Sequence, residues 1–261
     1  MKTAKRELLF PNKEMDEMGL FITFLLGLFF LVGVLVVSFH KNEKFVENLS
    51  ISIAFGTMVS LIVFDLVPEM LEHMEGTPVL MILLFVIFGI ALLKGLDFFV
   101  PDHDDEHGFH HDCSDENLVH IGIVSLVAIV LHNIIEGMAV YSLASESIKT
   151  GFLVALGVGL HNIPMGMIIA STMEHESKKN KIFSYTLACV STFIGGLIMF
   201  FIHSLISEFV IGTLICVTLG MILYIVLFEL VPHIFHSDNK KVSVLGFILG
   251  IVIILISTLF E

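Results

Sequence analysis

Long apolar runs separated by short polar breaks set the pattern of this chain. Eight runs have membrane-crossing length: Leu20–Phe39, Leu49–Leu71, Val79–Val100, Val119–Leu143, Phe152–Met173, Ile182–Ile206, Phe209–Leu230 and Val242–Phe260. A spanning helix uses ~20 apolar residues. In lipid the backbone must satisfy its own hydrogen bonds, so each run is expected to be a helix. The short alternating segments of a membrane β-barrel are absent. The expected fold is all-α, a polytopic membrane protein of eight transmembrane helices. A polar tail, 1–19, precedes one transmembrane domain, 20–261. The tail is too polar to hold the apolar core of a signal peptide. Most connections are short. The third loop, 101–118, is the strongly biased one and reads PDHDDEHGFHHDCSDENL.

Lysines in the loops set the expected orientation. The odd-numbered loops carry Lys41, Lys44, Lys178, Lys179, Lys181, Lys240 and Lys241. The opposite side has Lys149 in its loops and Lys2, Lys5, Arg6 and Lys13 in the tail. The odd-numbered loops, the third included, are therefore expected in the cytoplasm, with both termini extracytoplasmic.

Composition agrees with a membrane protein. Apolar residues make up 56% of the 261, charged residues 15%, and the mean hydropathy is +0.96. Soluble domains carry about 25% charged residues. The net charge of −13 argues against nucleic acid as a partner and suits a cationic one. Cys113, Cys189 and Cys216 form no close spacing, so neither a disulfide framework nor a CxxC site is expected. Thirteen histidines are many for so apolar a chain.

Two motifs repeat. Leu131–Val140 reads LHNIIEGMAV, and Leu160–Ile169 reads LHNIPMGMII. Phe64–Glu69 reads FDLVPE, and Phe228–His233 reads FELVPH. Each pair lies on runs of opposite direction. Repeats inverted across the membrane point to a transporter, with a site near mid-depth.

His132 and Glu136 are four apart, so both lie on one helical face. His161 repeats the histidine on the next run, and Met165 takes the place equivalent to Glu136. Two imidazoles, a carboxylate and a thioether make a four-donor set suited to zinc and other late first-row divalent metals. Asn133 and Asn162 add amide oxygens beside each histidine. An ionised group at mid-membrane costs about 2.5–3.5 kcal/mol on insertion scales, and Glu136 is near the middle of its run. A metal ion compensates that cost better than helix-bridging hydrogen bonds do. Pro164 lacks a backbone donor and loosens the helix near the carbonyl of Leu160, either freeing that oxygen to line a cation site beside His161 or only kinking the helix.

Asp65 and Glu69 flank Pro68, and Glu229 and His233 flank Pro232. Asp65, Glu69 and Glu229 are candidate pathway residues. Lys94 and Asp97, three apart, are expected to neutralise each other. His103, His107, His110 and His111 in the third loop are candidates for weak, fast-exchanging metal contacts. His203 is expected to be a packed polar residue, and His40, His73, His175 and His236 to be interfacial.

At these residues the chain resembles the ZIP (Zrt/Irt-like) family of divalent metal transporters, nearest its prokaryotic ZupT-like members. The eight runs, the paired HNxxEG and HNxPxG motifs, the LVPE closing the second run and the His-rich third loop carry the resemblance, which covers nearly the whole chain. It implies a 3+2+3 arrangement with segments 1–3 and 6–8 related by inversion, both termini outside and a cytoplasmic His-rich loop. It implies import of metal, usually zinc, with Fe2+, Mn2+, Co2+ or Cd2+ as further substrates, in the prokaryotic plasma (inner) membrane. It also implies a homodimer and an elevator-like movement of segments 1, 4, 5 and 6. Carried over by position, His132, Glu136 and His161 hold the principal ion, with Met165 at the fourth place. Family members with two adjacent ions also use the residues at Asn133 and Asn162, with a Glu at the place of Met165 and another acid on segment 6. Here segment 6 reads STFIGG around Thr192. One ion is therefore expected, and no organic cofactor. No Walker A pattern is present, so the expected transport is facilitated. The alternatives are an intramembrane zinc-dependent hydrolase, although HExxH is absent, and a metal sensor without transport.

Overall fold

The computed structural model describes residues 13–39, 43–97, 115–174, 176–202, 207–237 and 239–259. Its described regular structure is entirely helical. Helix α1 is Lys13–Ser38. Helix α2 runs from Glu43–Leu61 through a π-helical turn, Ile62–Leu66, into Val67–His73. Helix α3 is Val79–Asp97, α4 is Asp115–Glu146, α5 is Ile148–Thr172 and α6 is Lys178–Ile202. Helix α7 repeats the pattern of α2: Glu208–Tyr224, a π-helical turn over Ile225–Leu230, then Val231–His236. Helix α8 is Lys240–Ser257.

Seven of these are long and apolar enough to cross a membrane, and the apolar stretch Val79–Gly95 is a shorter eighth. The protein is an integral membrane protein. Most helices outrun their apolar runs, α1 and α4 among them. Helix α1 begins at Lys13 rather than Leu20, and Asp16 accepts a hydrogen bond from the Tyr141 hydroxyl of α4 at 2.9 Å. Helix α4 begins at Asp115, inside the stretch expected to be loop. Apolarity marks only the part of a helix that lipid requires, so helices continuing into the polar margin are longer than their runs.

The outward faces are apolar, as lipid demands. Leu80, Leu84, Ile87 and Phe88 of α3 are exposed, as are Val244, Leu245 and Ile248 of α8. Polar side chains turn inward. Thr57, Ser171 and Thr172 are buried, and each hydroxyl donates to a carbonyl one turn back in its own helix at 2.7–3.0 Å. Such hydroxyls need no partner helix.

The helices divide into two bundles. In one, α1 packs on α5 and α6, and α4 packs on α6 and α5. In the other, α8 packs on α2, and α3 packs on α7. Exchanging helices 1–3 with 6–8, and 4 with 5, turns the α1–α5 contact into α6–α4 and the α2–α8 contact into α7–α3. The tightest approaches obey the same exchange. A Cβ at Gly33 or Gly166 would strike a backbone oxygen across the α1–α5 seam, and one at Gly137 or Gly195 would do so across α4–α6. Gly56 and Gly250 hold the α2–α8 seam in the same way, and Gly89 and Gly220 the α3–α7 seam. In lipid, close backbone approach through small residues is a main source of helix association.

Both π-helical turns precede a proline. Val67 N–H reaches back five residues to Ile62 O, and Val231 N–H to Val226 O. Pro68 and Pro232 lack an N–H and their rings crowd the carbonyl four residues earlier. A wider turn there relieves the clash and re-aims the side chains it contains. Asp65 and Glu229 sit in these turns.

Candidate metal site between helices 4 and 5

Helix α4 sets His132 and Glu136 one turn apart on one face, and α5 brings His161 against them. His132 Nε2 and His161 Nε2 each lie 2.6 Å from Glu136 Oε1. The imidazole centroids are 6.1 Å apart. One donor atom from each residue lies within 4.8 Å of the others. The side chains of His132, Glu136 and His161 are 2%, 10% and 1% exposed, so the cluster is shielded. The glycine that closes each HNxxEG or HNxPxG motif has a role in placing it. Gly137 lets α4 close on α6 at Thr192, and Gly166 lets α5 close on α1 at Phe30.

Zinc takes nitrogen and oxygen ligands at about 2.0–2.2 Å, which puts neighbouring donors of a tetrahedral ion roughly 3.3 Å apart. Small side-chain shifts would bring these three donors to that spacing. Met165 is one turn from His161 and wholly buried. It lies on the same helical row and is packed in the main apolar cluster. Asn133 Nδ2 donates to Ala188 O of α6 at 3.1 Å, so that amide ties α4 to α6. Among the described residues its Oδ1 has no hydrogen-bonding partner, nor has either amide atom of Asn162. Thr192 of α6 is buried, and its hydroxyl also has no partner among the described residues.

A cavity of about 360 Å³ reaches the cluster. His132 and Glu136 form its inner part, and Asp65, Glu69 and Glu72 of α2 line its wall. Thr218 of α7 and Leu143, Val154 and Val158 of α4 and α5 also line it. It opens on the face that carries the α2–α3 and α4–α5 connections. Asp65 is close enough to interact electrostatically with His161, Glu136 and His132. Glu229 occupies the mirror turn on α7 and does not line this cavity. Near that other end His233 Nε2 is 3.8 Å from Glu47 Oε1.

Two polar lining residues were not singled out from sequence. Glu72 continues the row of Asp65 and Glu69 at helical spacing, so extending the row finds it. Thr218 is one threonine in an apolar helix and carries no sequence signal. His103, His107, His110, His111, His40, His175 and His203 lie outside the described residues, as does the Asp97 side chain. His236 Nδ1 lies 2.8 Å from Pro232 O at an exposed helix end.

The family profile described as ZIP Zinc transporter matches residues 100–258. The zinc transporter ZupT of Clostridium perfringens is 25% identical, over 93% of this chain and 95% of its own length. The ZupT of Salmonella heidelberg is 28% identical, over 92% and 97%. The probable zinc transporter zip2 of Schizosaccharomyces pombe is 30% identical over 58% of this chain and 43% of its own. Family members are transporters, not enzymes. With the profile spanning well over half the residues, the chain belongs to the ZIP zinc transporter family.

Proposed function

We propose that this protein moves zinc, one ion at a time, across the plasma membrane into the cytoplasm through His132, Glu136 and His161. The observation that carries the reading is the convergence of these three donors, from two helices, at the inner end of an acidic cavity. Met165 supplies a fourth, soft donor, which extends the range toward Cd2+ and Co2+ beside Fe2+ and Mn2+. Asn133 and Asn162 carry no charge, so a second dication beside the first would lack a counter-charge. Asp65 and Glu69 receive the ion, and Glu229 stands on its way out. With the odd-numbered loops cytoplasmic and both termini outside, the cavity opens outward. The ion sheds water as it binds. The bundle of α1, α4, α5 and α6 then moves against the other, as an elevator does, and presents the ion inward. The seams favour that division: close glycine contacts knit each bundle together. The third-loop histidines take up the released ion. Two copies associate in the bilayer.

The test is zinc uptake into liposomes loaded with a zinc-sensitive dye. Glu136→Ala and His161→Ala are expected to abolish uptake, and equal uptake by all three proteins removes the site. A zinc-soaked crystal is expected to give one anomalous peak at mid-membrane. Two peaks about 4 Å apart, the spacing of two-metal sites, contradict single occupancy.

A further inference from the structure

We propose that Asp65 and Thr218, with Glu69 and Glu72 on the row beside Asp65, form a separate oxygen-donor station. It holds a divalent cation that still carries part of its water, before the imidazoles take it. The proposal rests on the reading of His132, Glu136 and His161 as the transport site.

Three carboxylates line one wall of the cavity, from α2. Like charges one helical turn apart repel, and carboxylates at membrane depth are costly. A cation between them offsets both effects. A carboxylate row alone would not define a site. Thr218 supplies an independent sign. It is 1% exposed, lines the same cavity, and its hydroxyl has no hydrogen-bonding partner among the described residues. Thr57 and Thr172, equally buried, instead return their hydroxyls to their own helices. A buried hydroxyl without a partner calls for a ligand or a water. The π-helical turn sets Asp65 within electrostatic reach of the imidazole site.

The donor chemistry separates the two sites. Carboxylate and hydroxyl oxygens suit hard, hydrated cations, Mg2+ and Ca2+ included, whereas imidazoles favour zinc and its neighbours. The station therefore concentrates dications without sorting them, and His132 and His161 do the sorting. The two sites also belong to different bundles. Asp65 and Thr218 stand on α2 and α7, and the imidazole site on α4 and α5. Movement of the bundle of α1, α4, α5 and α6 carries the ion away from the station.

The experiment uses the full chain in liposomes and compares wild type with Asp65→Asn, Thr218→Val and Thr218→Ser. Initial zinc uptake is measured against external Zn2+, with and without millimolar Mg2+. In the same preparations, the visible spectrum of bound Co2+ reports on the imidazole site. Asp65→Asn is expected to raise KM about tenfold, with the saturated rate within about twofold, as loss of binding before the transport step requires. Mg2+ is expected to compete with zinc in wild type and to lose that effect in Asp65→Asn. Thr218→Val is expected to raise KM and Thr218→Ser to restore it. The Co2+ spectrum is expected to be the same in all four. An unchanged KM with Mg2+ competition retained overturns the station. So does loss of the Co2+ bands in Asp65→Asn, which assigns Asp65 to the imidazole site. A parallel Glu136→Ala sample separates the two readings. If it transports like wild type, the transport site itself fails and the station falls with it.

Discussion

Glu136 offers one carboxylate oxygen to two imidazoles at equal distance, and its other oxygen has no hydrogen-bonding partner. A dication bound there replaces a contact that otherwise needs a proton between nitrogen and oxygen. Removing the charge while keeping the shape is therefore the sharpest change. Glu136→Gln is expected to weaken Zn2+ binding by more than the about 10–100-fold seen when a partner behind a metal ligand is lost. Titration of the detergent-purified protein by calorimetry measures it. Metal binding displaces protons from imidazole, so affinity is expected to fall as pH is lowered. A flat affinity between pH 7.5 and 5.5 would speak against histidine ligation. Met165→Glu is expected to raise affinity for Zn2+ and Mn2+ relative to Cd2+, because oxygen replaces a soft sulfur. Competition among the three ions checks the order. His132, Glu136 and His161 were legible in the chain because helical spacing puts the first two on one face and the repeat supplies the third. Glu72 follows from extending the row of Asp65 and Glu69, but Thr218 was not legible, because no pattern in α7 distinguishes a hydroxyl facing a cavity from one facing its own backbone.

At the scale of the helix, glycine and proline decide how the site is held. The motif glycines Gly137 and Gly166 give their helices the clearance to reach α6 and α1. A methyl group at Gly137 would meet the Thr192 carbonyl, and one at Gly195 the Ile134 carbonyl. Backbone cannot swing aside as a side chain can. Gly137→Ala and Gly195→Ala are each expected to cost about 1–3 kcal/mol, the usual penalty for overpacking. Gly95→Ala, where a Cβ meets nothing within 4 Å, is expected to stabilise slightly through better helix propensity. Thermal unfolding of the purified variants in one detergent separates the two classes. The FDLVPE and FELVPH repeat was visible as letters, and both copies fold alike. The wide turns were not, since Pro164 lies inside an otherwise regular α5. Whether a helix widens before a proline depends on what packs around it. The ends of α1 and α4 were missed for another reason: polar residues prolong a helix at the membrane margin without adding to the hydropathy that defines the run.

At the scale of the whole molecule, the boundary between the bundles differs from the seams within them. The reciprocal glycine seams are α1–α5, α4–α6, α2–α8 and α3–α7, and each lies inside one bundle. Where α5 faces α8, buried Ser257 donates to the Gly157 carbonyl at 2.6 Å. Within α5 that carbonyl faces the N–H of His161 four residues on, so the contact bears on the turn that holds a candidate ligand. Relative movement of the bundles must break it. The bond therefore favours the arrangement with the cavity open. Ser257→Ala removes the donor and leaves Gly157 its helical partner. The cost to this arrangement is about 0.5–1.5 kcal/mol, which moves the equilibrium between the two arrangements by roughly 2- to 12-fold. Ala139 lines the cavity and serves as the reporter. In a background with Cys113, Cys189 and Cys216 changed to Ser, Ala139→Cys is expected to react with an impermeant thiol reagent from the extracytoplasmic side. Adding Ser257→Ala is expected to slow that reaction by up to that factor, the full factor applying where the open arrangement is the less populated one. An unchanged rate would mean that the contact is equally present in both arrangements, and the boundary between the moving parts would then have to lie elsewhere than between α5 and α8.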